Sequence, residues 1–335
     1  MRLVTFTLAP RGTIQYLRTM SGDKPKPGSN APTYPVSIRT AIRPSTAPEL
    51  NTGRFAREYC YITPAYLQTI HRTVGQHVRV SVDGTKETGL FTVRAISNLP
   101  TPCVEIGIDT LPEKLNLSLT GGELAGRIIR YAPHPSYSDS LAASKKDFVE
   151  RIDLHPTARN FLILAPHGGN IEPDTAGQAE TVYKALQTAN KNPSRWFCLG
   201  YRSDECDADD RWHITSTQIN ATSFPKLSKI AEHSFMHVIS FHGFIAANAA
   251  DKIIYVGGLS NHRNGLRDAL VAAFPTLDIP AFADVDSHYQ SAQPENITNR
   301  LAVNPGGIQI EQSKKVRTDH GTDVANAVAD FIKTL

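Results

Sequence analysis

His167 and Glu172, five positions apart with Gly168 and Gly169 between them, are the residues from which chemistry could begin. On a helix of ~3.6 residues per turn that spacing sets two side chains about 140° apart, so a helix cannot aim both at one point. Two glycines after a buried strand can, because they permit a tight loop that folds both side chains inward. Pro173 then suits the first turn of a following helix, where its missing N–H costs nothing. Two further apolar runs end in polar chemistry: 236–241 leads into His242-Gly243, and 307–310 leads into Glu311. In open α/β sheets, ligands bind at the carboxyl ends of the strands. Two imidazoles and one carboxylate form the ligand set of a catalytic zinc site, which keeps a position open for water. Zinc lowers the pKa of that water toward about 7. A carboxylate that is not a ligand can take its proton and pass it to a leaving amine, and Glu311 is placed to do so. A planar arginine fork would hold a substrate carboxylate or steady an anionic intermediate. Asn299-Arg300 is the candidate pair.

Such groups need a buried sheet to carry them, and the second part of the chain has its pattern. Continuous apolar runs predict strands over 161–165, 196–199, 236–241, 253–256 and 307–310. Helical segments are expected over 175–188, 224–233, 262–274 and 321–335. Strands that do not alternate are buried on both faces, as in a mostly parallel sheet covered by helices. The first part reads differently. Alternating or β-branched runs recur at 3–8, 36–42, 77–82, 90–96, 104–108 and 127–131, with turn signals at Asp83-Gly84 and Gly121-Gly122. A Pro-, Gly- and Ser-rich loop is expected over 21–35. A short helix over 63–70 has Thr63 as N-cap and Pro64 at its first position. The passage 62–82 resembles one half of a double-psi or swapped-hairpin barrel, which favours a compact β-barrel here. Pro133, Pro135 and a group of serines then interrupt the strand pattern. The expected organisation is a β-rich barrel-like domain at 1–133, a linker at 134–146 and an α/β domain at 147–335.

A chain of 335 residues, 40% hydrophobic and 20% charged, has room for two domains with their own cores. No apolar run approaches the roughly 18 to 20 residues needed to span a bilayer. The stretch 3–8 alternates and reads as a strand, not an export signal, so a cytoplasmic protein is expected. Cys60, Cys103, Cys198 and Cys206 form no CxxC pair, and reduced thiols are the expectation. Residues 1–133 carry 16 Lys and Arg against 9 Asp and Glu, and residues 134–335 carry 19 against 23. A basic first part can attract a polyanion, but that field is blind to sequence.

The blocks His167-Gly168-Gly169-x-Ile171-Glu172, His213-Ile214-Thr215-Ser216-Thr217, Ser240-Phe241-His242-Gly243, Tyr255-Val256-Gly257-Gly258, Asn296-Ile297-Thr298-Asn299-Arg300 and Gly307-Ile308-Gln309-Ile310-Glu311 occur in that order. Together they resemble the poly-γ-glutamate hydrolase family of bacteriophages and bacteria, a branch of the zinc carboxypeptidase-like peptidases, over about residues 145–335. The resemblance implies one zinc ion per chain held by His167, Glu172 and His242. It implies Glu311 as general base and acid, and Asn299 with Arg300 as contacts to a substrate carboxylate or oxyanion. It also implies a three-layer α/β/α sandwich around a mixed sheet. The barrel-like part lies outside it. The family's substrate is glutamate joined through side-chain carboxyls, each unit keeping a free α-carboxylate, which is why an arginine would matter. A phage-type enzyme would reach this polymer after lysis.

His213 either lines the site, donating to the intermediate, or is structural. Tyr201, Arg202 and Tyr255 fall near strand ends, where packing or surface roles are expected. The acids Asp204, Glu205, Asp207, Asp209 and Asp210 read as a solvated loop, without the glycine spacing of a calcium hand. The expected function is hydrolysis of γ-linked poly-glutamate amides by zinc-bound water assisted by Glu311. The alternatives are a deacylase or carboxypeptidase on a small acidic N-acyl amino acid, or a polyanion-binding module on a degenerate hydrolase scaffold. The partner is then an anionic polymer or acidic small molecule, with neither membrane nor nucleic acid expected.

Overall fold

Alternation separates the two halves of the chain, as the residues require. The computed structural model describes residues 32–41, 58–107, 110–117 and 123–335. The strand expected at 3–8 and the turn at Gly121-Gly122 lie outside them, as does most of the loop expected over 21–35. Six strands close a barrel: β1 (Thr33–Ala41), β2 (Tyr59–Ile62), β3 (His77–Val82), β4 (Thr88–Ala95), β5 (Cys103–Gly107) and β6 (Leu124–Ile129), in the order β1-β5-β2-β4-β3-β6. Val78, Val80 and Val82 of β3 meet Val36, Ile38, Phe91, Val104 and Ile128 in its interior. Closure leaves no unpaired edge among these strands. Helix α1 (Pro64–Thr69) starts as expected, with the Thr63 hydroxyl accepting from Tyr66 N at 3.3 Å. Helix α2 (Thr110–Leu115) packs beside the barrel and delivers the buried Lys114.

Within the stretch read as a linker, α3 (Asp139–Lys145) forms, capped by Ser138. A strand not anticipated from the sequence follows, β7 (Phe148–Asp153). It opens a second sheet with β8 (Phe161–Gly169), β9 (Ser194–Gly200), β10 (His237–Phe244), β11 (Ile254–Gly258) and β12 (Ile308–Ser313), in the order β11-β12-β10-β8-β9-β7. The four central strands are parallel and the two edges antiparallel. The sheet is therefore mixed. One face packs on α4 (Thr175–Thr188), α7 (Arg263–Ala273) and α10 (Lys314–Lys333) through Ile163, Ile239, Phe241, Ile308, Ile310, Val324 and Val328. The other face, carrying Leu162, Leu164, Trp196 and Val238, is covered by α5 (Ala208–Trp212), α6 (Leu227–Ile230), α9 (Ile297–Arg300), their loops and the barrel residue Leu90. A short helix α8 (Ser287–Gln290) lies beside β11.

Several expected boundaries shift for visible reasons. β10 and β12 run past His242 and Glu311, because pairing continues through Gly243↔Gln312 and Phe244↔Ser313. The helix expected over 224–233 shortens to α6. Its start is fixed where the Glu150 carboxylate accepts from Lys226 N at 2.6 Å and Leu227 N at 3.1 Å. Helix α10 begins seven residues before Gly321, and that glycine instead lets α4 approach, its carbonyl accepting from Gln178 Nε2 at 2.9 Å. Pro173 precedes α4 by two residues and is not in its first turn. No helix among the described residues is long and apolar enough to cross a membrane.

Candidate active site

The loop after β8 folds His167 and Glu172 together. Gly168 lies so close to Ala176 and the Cys198 carbonyl that a Cβ would meet each at 2.7 Å. Gly169 has φ +75°, and a Cβ there would sit 2.5 Å from the Gly200 carbonyl. The turn closes when Glu172 N donates to His167 O at 2.8 Å, and Thr175 Oγ1 donates to Glu172 O at 2.7 Å. His167 Nδ1 then lies 2.9 Å from Glu172 Oε1. The other carboxylate oxygen accepts from Gly243 N at 2.9 Å and lies 3.5 Å from His242 Nδ1. The two Nδ1 atoms are 3.2 Å apart. All three residues are buried.

The chemistry of this donor set can be read from its outer bonds. His167 Nε2 lies 2.8 Å from the Ile214 carbonyl, which only accepts, so Nε2 carries the proton. In neutral His167 a lone pair on Nδ1 therefore faces a carboxylate and a second imidazole. Three electron-pair donors so placed repel one another unless something electrophilic lies between them. A proton is one answer. Burial alone would lower His167, but the Glu172 carboxylate overrides it and holds the imidazole above its usual range. Burial likewise works to raise Glu172, and the two histidines outweigh it and keep the carboxyl well below the usual carboxylate range. A metal ion is the other answer. Four-coordinate zinc, with bonds of about 2.0–2.1 Å, brings neighbouring ligand atoms roughly 3.3 Å apart. The two Nδ1 atoms, 3.2 Å apart, fit that spacing, and the carboxylate sets one oxygen 2.9 Å from His167 Nδ1 and the other 3.5 Å from His242 Nδ1. Ser240 Oγ at 2.9 Å from His242 Nε2 steadies the second ring.

Glu311 stands in register with His242 across the β10–β12 ladder and with Tyr255 across β11–β12. The three side chains therefore share a face. Burial pushes the Glu311 carboxyl up, and the Glu172 carboxylate adds to this. His242 and a hydrogen bond from Gln309 pull the other way. That bond, from Gln309 Nε2 to Glu311 Oε1, is 2.8 Å long. Gln309 is fixed in turn, its Oε1 accepting from Asn296 Nδ2 at 2.9 Å and Thr298 Oγ1 at 3.3 Å.

The profile of the poly-gamma-glutamate hydrolase family matches residues 136–326, more than half of the chain. The chain belongs to the poly-gamma-glutamate hydrolase family. It is a hydrolase. Among solved structures it is similar to a bacteriophage poly-gamma-glutamate hydrolase, at 22% identity over 54% of this chain and 87% of that one, with a TM-score of 0.41. It is similar to zinc-free YNDL-apo at 23% identity over 55% and 89%, TM-score 0.41. A metallo-carboxypeptidase from Pseudomonas aeruginosa, in complex with (2-guanidinoethylmercapto)succinic acid, matches at 13% identity over 82% and 84%, TM-score 0.38. No curated protein matches the chain.

In this family member the structure does not bring Asn299 and Arg300 to the cluster. Asn299 Nδ2 donates to Ser291 O and Gln293 O at 2.8 and 2.9 Å. Its Oδ1 accepts from Leu259 N and Gly307 N at 3.1 and 3.2 Å. The amide's capacity is thus filled. Gly307 lies four residues before Glu311, which is about 13 Å along a strand. Arg300 donates to Glu295 O at 3.1 Å and Ile219 O at 2.6 Å. Both residues brace α9, and the residues of α9 and its cap that reach toward Glu311 are Asn296 and Thr298. A buried guanidinium does lie near the cluster. Arg317 donates to Pro173 O at 2.6 Å and packs against Gly243, where a Cβ would sit 2.4 Å from its Cζ.

His213 is at the site. Its ring centroid is 4.3 Å from that of His167, and His167, Glu172 and His213 each offer a ligating atom within 4.8 Å of the others. His213 Nδ1 donates to Glu58 Oε1 at 2.9 Å. Glu58 comes from the barrel part of the chain, 155 residues away, and nothing in its local sequence marks it. Gln309 was also missed, although its place two residues before Glu311 puts it on the same face of a strand. Tyr255 stacks on Phe244 and Tyr289, with ring centroids 5.3 and 4.9 Å away, forming a wall beside Glu311.

Proposed function

We propose that the chain hydrolyses the amide bonds of γ-linked poly-glutamate with zinc as its metal. The observation that carries this reading is the convergence of His167 Nδ1, Glu172 and His242 Nδ1, with Glu311 one strand away and in register, in a chain of this family. Zinc held by those three residues would supply Lewis acidity, acidifying a water and polarising a carbonyl. Everything else falls to the protein. Hydrolysis joins the oxygen of water to the amide carbon, breaks the C–N bond and leaves a proton on the departing amine. Glu311 is the group that moves this proton, accepting it from water and releasing it to nitrogen. Burial raises its affinity for a proton, which suits a carboxylate that must take one up. Gln309 holds the carboxylate in place through its bond to Oε1. The Phe244–Tyr255–Tyr289 wall limits access of water on one side. The part of the chain before about residue 134 is read as a separate barrel unit packed against the hydrolase.

The test is the size distribution of poly-γ-glutamate after incubation with the purified chain. Shortening is expected, together with its abolition by a chelator and recovery on adding Zn2+. A polymer profile left unchanged by the metal-loaded protein overturns the proposal.

A further inference from the structure

The segment 213–223 lies between the barrel and the sheet, and several of its polar groups join it to the barrel. His77 N donates to Ser223 Oγ at 2.7 Å, and Gln218 Nε2 donates to the Tyr59 hydroxyl at 2.6 Å. One of these joints points into the site. Glu58 is buried, and its carboxylate accepts from His213 Nδ1 at 2.9 Å, Thr215 N at 3.2 Å and Thr215 Oγ1 at 3.1 Å. A buried carboxylate with several donors is costly to place and costly to disturb. Lys114, also buried, donates to Leu90 O at 3.1 Å, and its charge helps keep Glu58 ionised. The barrel thus commits a buried carboxylate, supported by a buried ammonium, to one imidazole of the other unit.

This geometry fixes the ring. A carboxylate at Nδ1 keeps the proton there, and the hydrogen bond sets the rotation of the imidazole. Nε2 has no hydrogen-bond partner among the described residues, while a ring nitrogen of His213 comes within 4.8 Å of the ligating atoms of His167 and Glu172. The backbone of the same segment supplies the Ile214 carbonyl that fixes His167. We infer that Glu58 is a positioning residue, which completes the hydrolase site from the barrel by holding His213 with Nε2 turned to the substrate amide. This inference rests on the hydrolase reading. It gives the barrel a part in catalysis.

The experiment compares the full zinc-loaded chain with Glu58→Gln, Glu58→Asp, His213→Ala and the Glu58→Gln/His213→Ala pair. Glu58→Gln should lower kcat about 10- to 100-fold, as loss of a supporting bond to a functional imidazole does, with KM nearly unchanged and one zinc still bound. Glu58→Asp, which keeps the charge, should recover part of the loss. The double variant should be no slower than His213→Ala alone, because Glu58 acts through that ring. Multiplying losses, or an unchanged kcat in Glu58→Gln, overturns the inference. Imidazole 15N spectra of the unmutated protein decide it even if the Glu58 variants do not fold, with His213 assigned by its absence in His213→Gln. Nδ1 should carry the proton, and a bare Nδ1 refutes the positioning. A protein with the expected His213 spectrum that leaves the polymer intact would instead refute the hydrolase reading.

Discussion

Replacing Gln309 by leucine tests the site at a residue that touches neither metal nor substrate. Gln309 is buried and close to leucine in size, so packing changes little. What is lost is polar. Glu311 loses its amide partner, a neutral donor on a charged acceptor, worth about 1.5–3 kcal/mol. If that bond is needed to hold the carboxylate in the transition state, kcat falls by roughly 10- to 100-fold at 1.36 kcal/mol per decade. Asn296 Nδ2 and Thr298 Oγ1 lose their shared acceptor. The chain should therefore be destabilised by about 1–3 kcal/mol as well. Urea unfolding reads this second effect, separately from turnover.

The pH profile carries a sign. Burial and Glu172 raise the Glu311 carboxyl, and the Gln309 bond lowers it. Without Gln309 the carboxyl rises further. If Glu311 must be ionised to accept a proton, the acid limb of the kcat profile moves to higher pH, so the loss is larger on the acid side than on the alkaline side. Thr298→Val removes one of the two bonds that fix Gln309 and should give a smaller shift in the same direction. Release of amine from poly-γ-glutamate at saturating substrate supplies kcat at each pH. An acid limb that stays in place, or moves to lower pH, while Glu311→Gln is inactive would refute the argument that Gln309 tunes Glu311.

Two further perturbations test the scaffold. Gly169→Ala combines a left-handed φ with a Cβ 2.5 Å from the Gly200 carbonyl, and should cost about 2–5 kcal/mol and weaken zinc binding, whereas Gly177→Ala, in open space on α4, should stabilise by about 0.5–1 kcal/mol. Equal urea midpoints for the two variants would count against the turn as the device that joins His167 to Glu172. Burial holds His77 neutral, lowering it from 6.5 to about 3, so the unfolded chain binds the extra proton between these values and stability must fall as pH drops through that window. The loss totals about 4–5 kcal/mol. His77→Gln should flatten this acid limb of the urea midpoint, and an unchanged slope would show that His77 is not its source.

The sequence made the candidate ligands visible because their chemistry is local. A strand-length run, two glycines and a glutamate define the His167–Glu172 turn, and α4 begins and ends where the periodicity predicts. His242 and Glu311 were legible as polar residues closing apolar runs. What holds them was not, since it comes through space. β7 pairs with β9 over residues that alternate only weakly. Asn299 and Arg300 drew attention as the residues best suited to an anion, yet α9 turns Asn296 and Thr298 to Gln309 and spends the other pair on backbone carbonyls and amides. The N-cap geometry at Asn296, whose Oδ1 accepts from Thr298 N at 2.9 Å, decides which side chains reach the sheet. No property of the Asn-Arg pair itself could show this. Glu58 lies beyond any local pattern, just before β2 of the barrel and 155 residues from the ring it holds.

One regularity of the site could have been read in advance. On a strand, residues two apart share a face and successive positions step along it. Ser240 and His242 are so related, and so are Gln309 and Glu311. In both cases the earlier residue hydrogen-bonds the later one. The register β10↔β12 sets Ser240 opposite Gln309 and His242 opposite Glu311, so the strands present two rows, a supporting row and a reacting row. His167 cannot follow the rule, because the irregularity between Ala165 and Gly168 breaks the β8 ladder. Its support comes from outside the sheet, from the Ile214 carbonyl. The loop that supplies this support is held from beyond the sheet, and it is where the barrel grips the chain through Glu58 and His77. The barrel's contact with 213–223 therefore falls where the sheet's own period fails to provide a neighbour, beside its other joints, from Arg79 to Asp147 and from Arg211 to the Thr88 carbonyl.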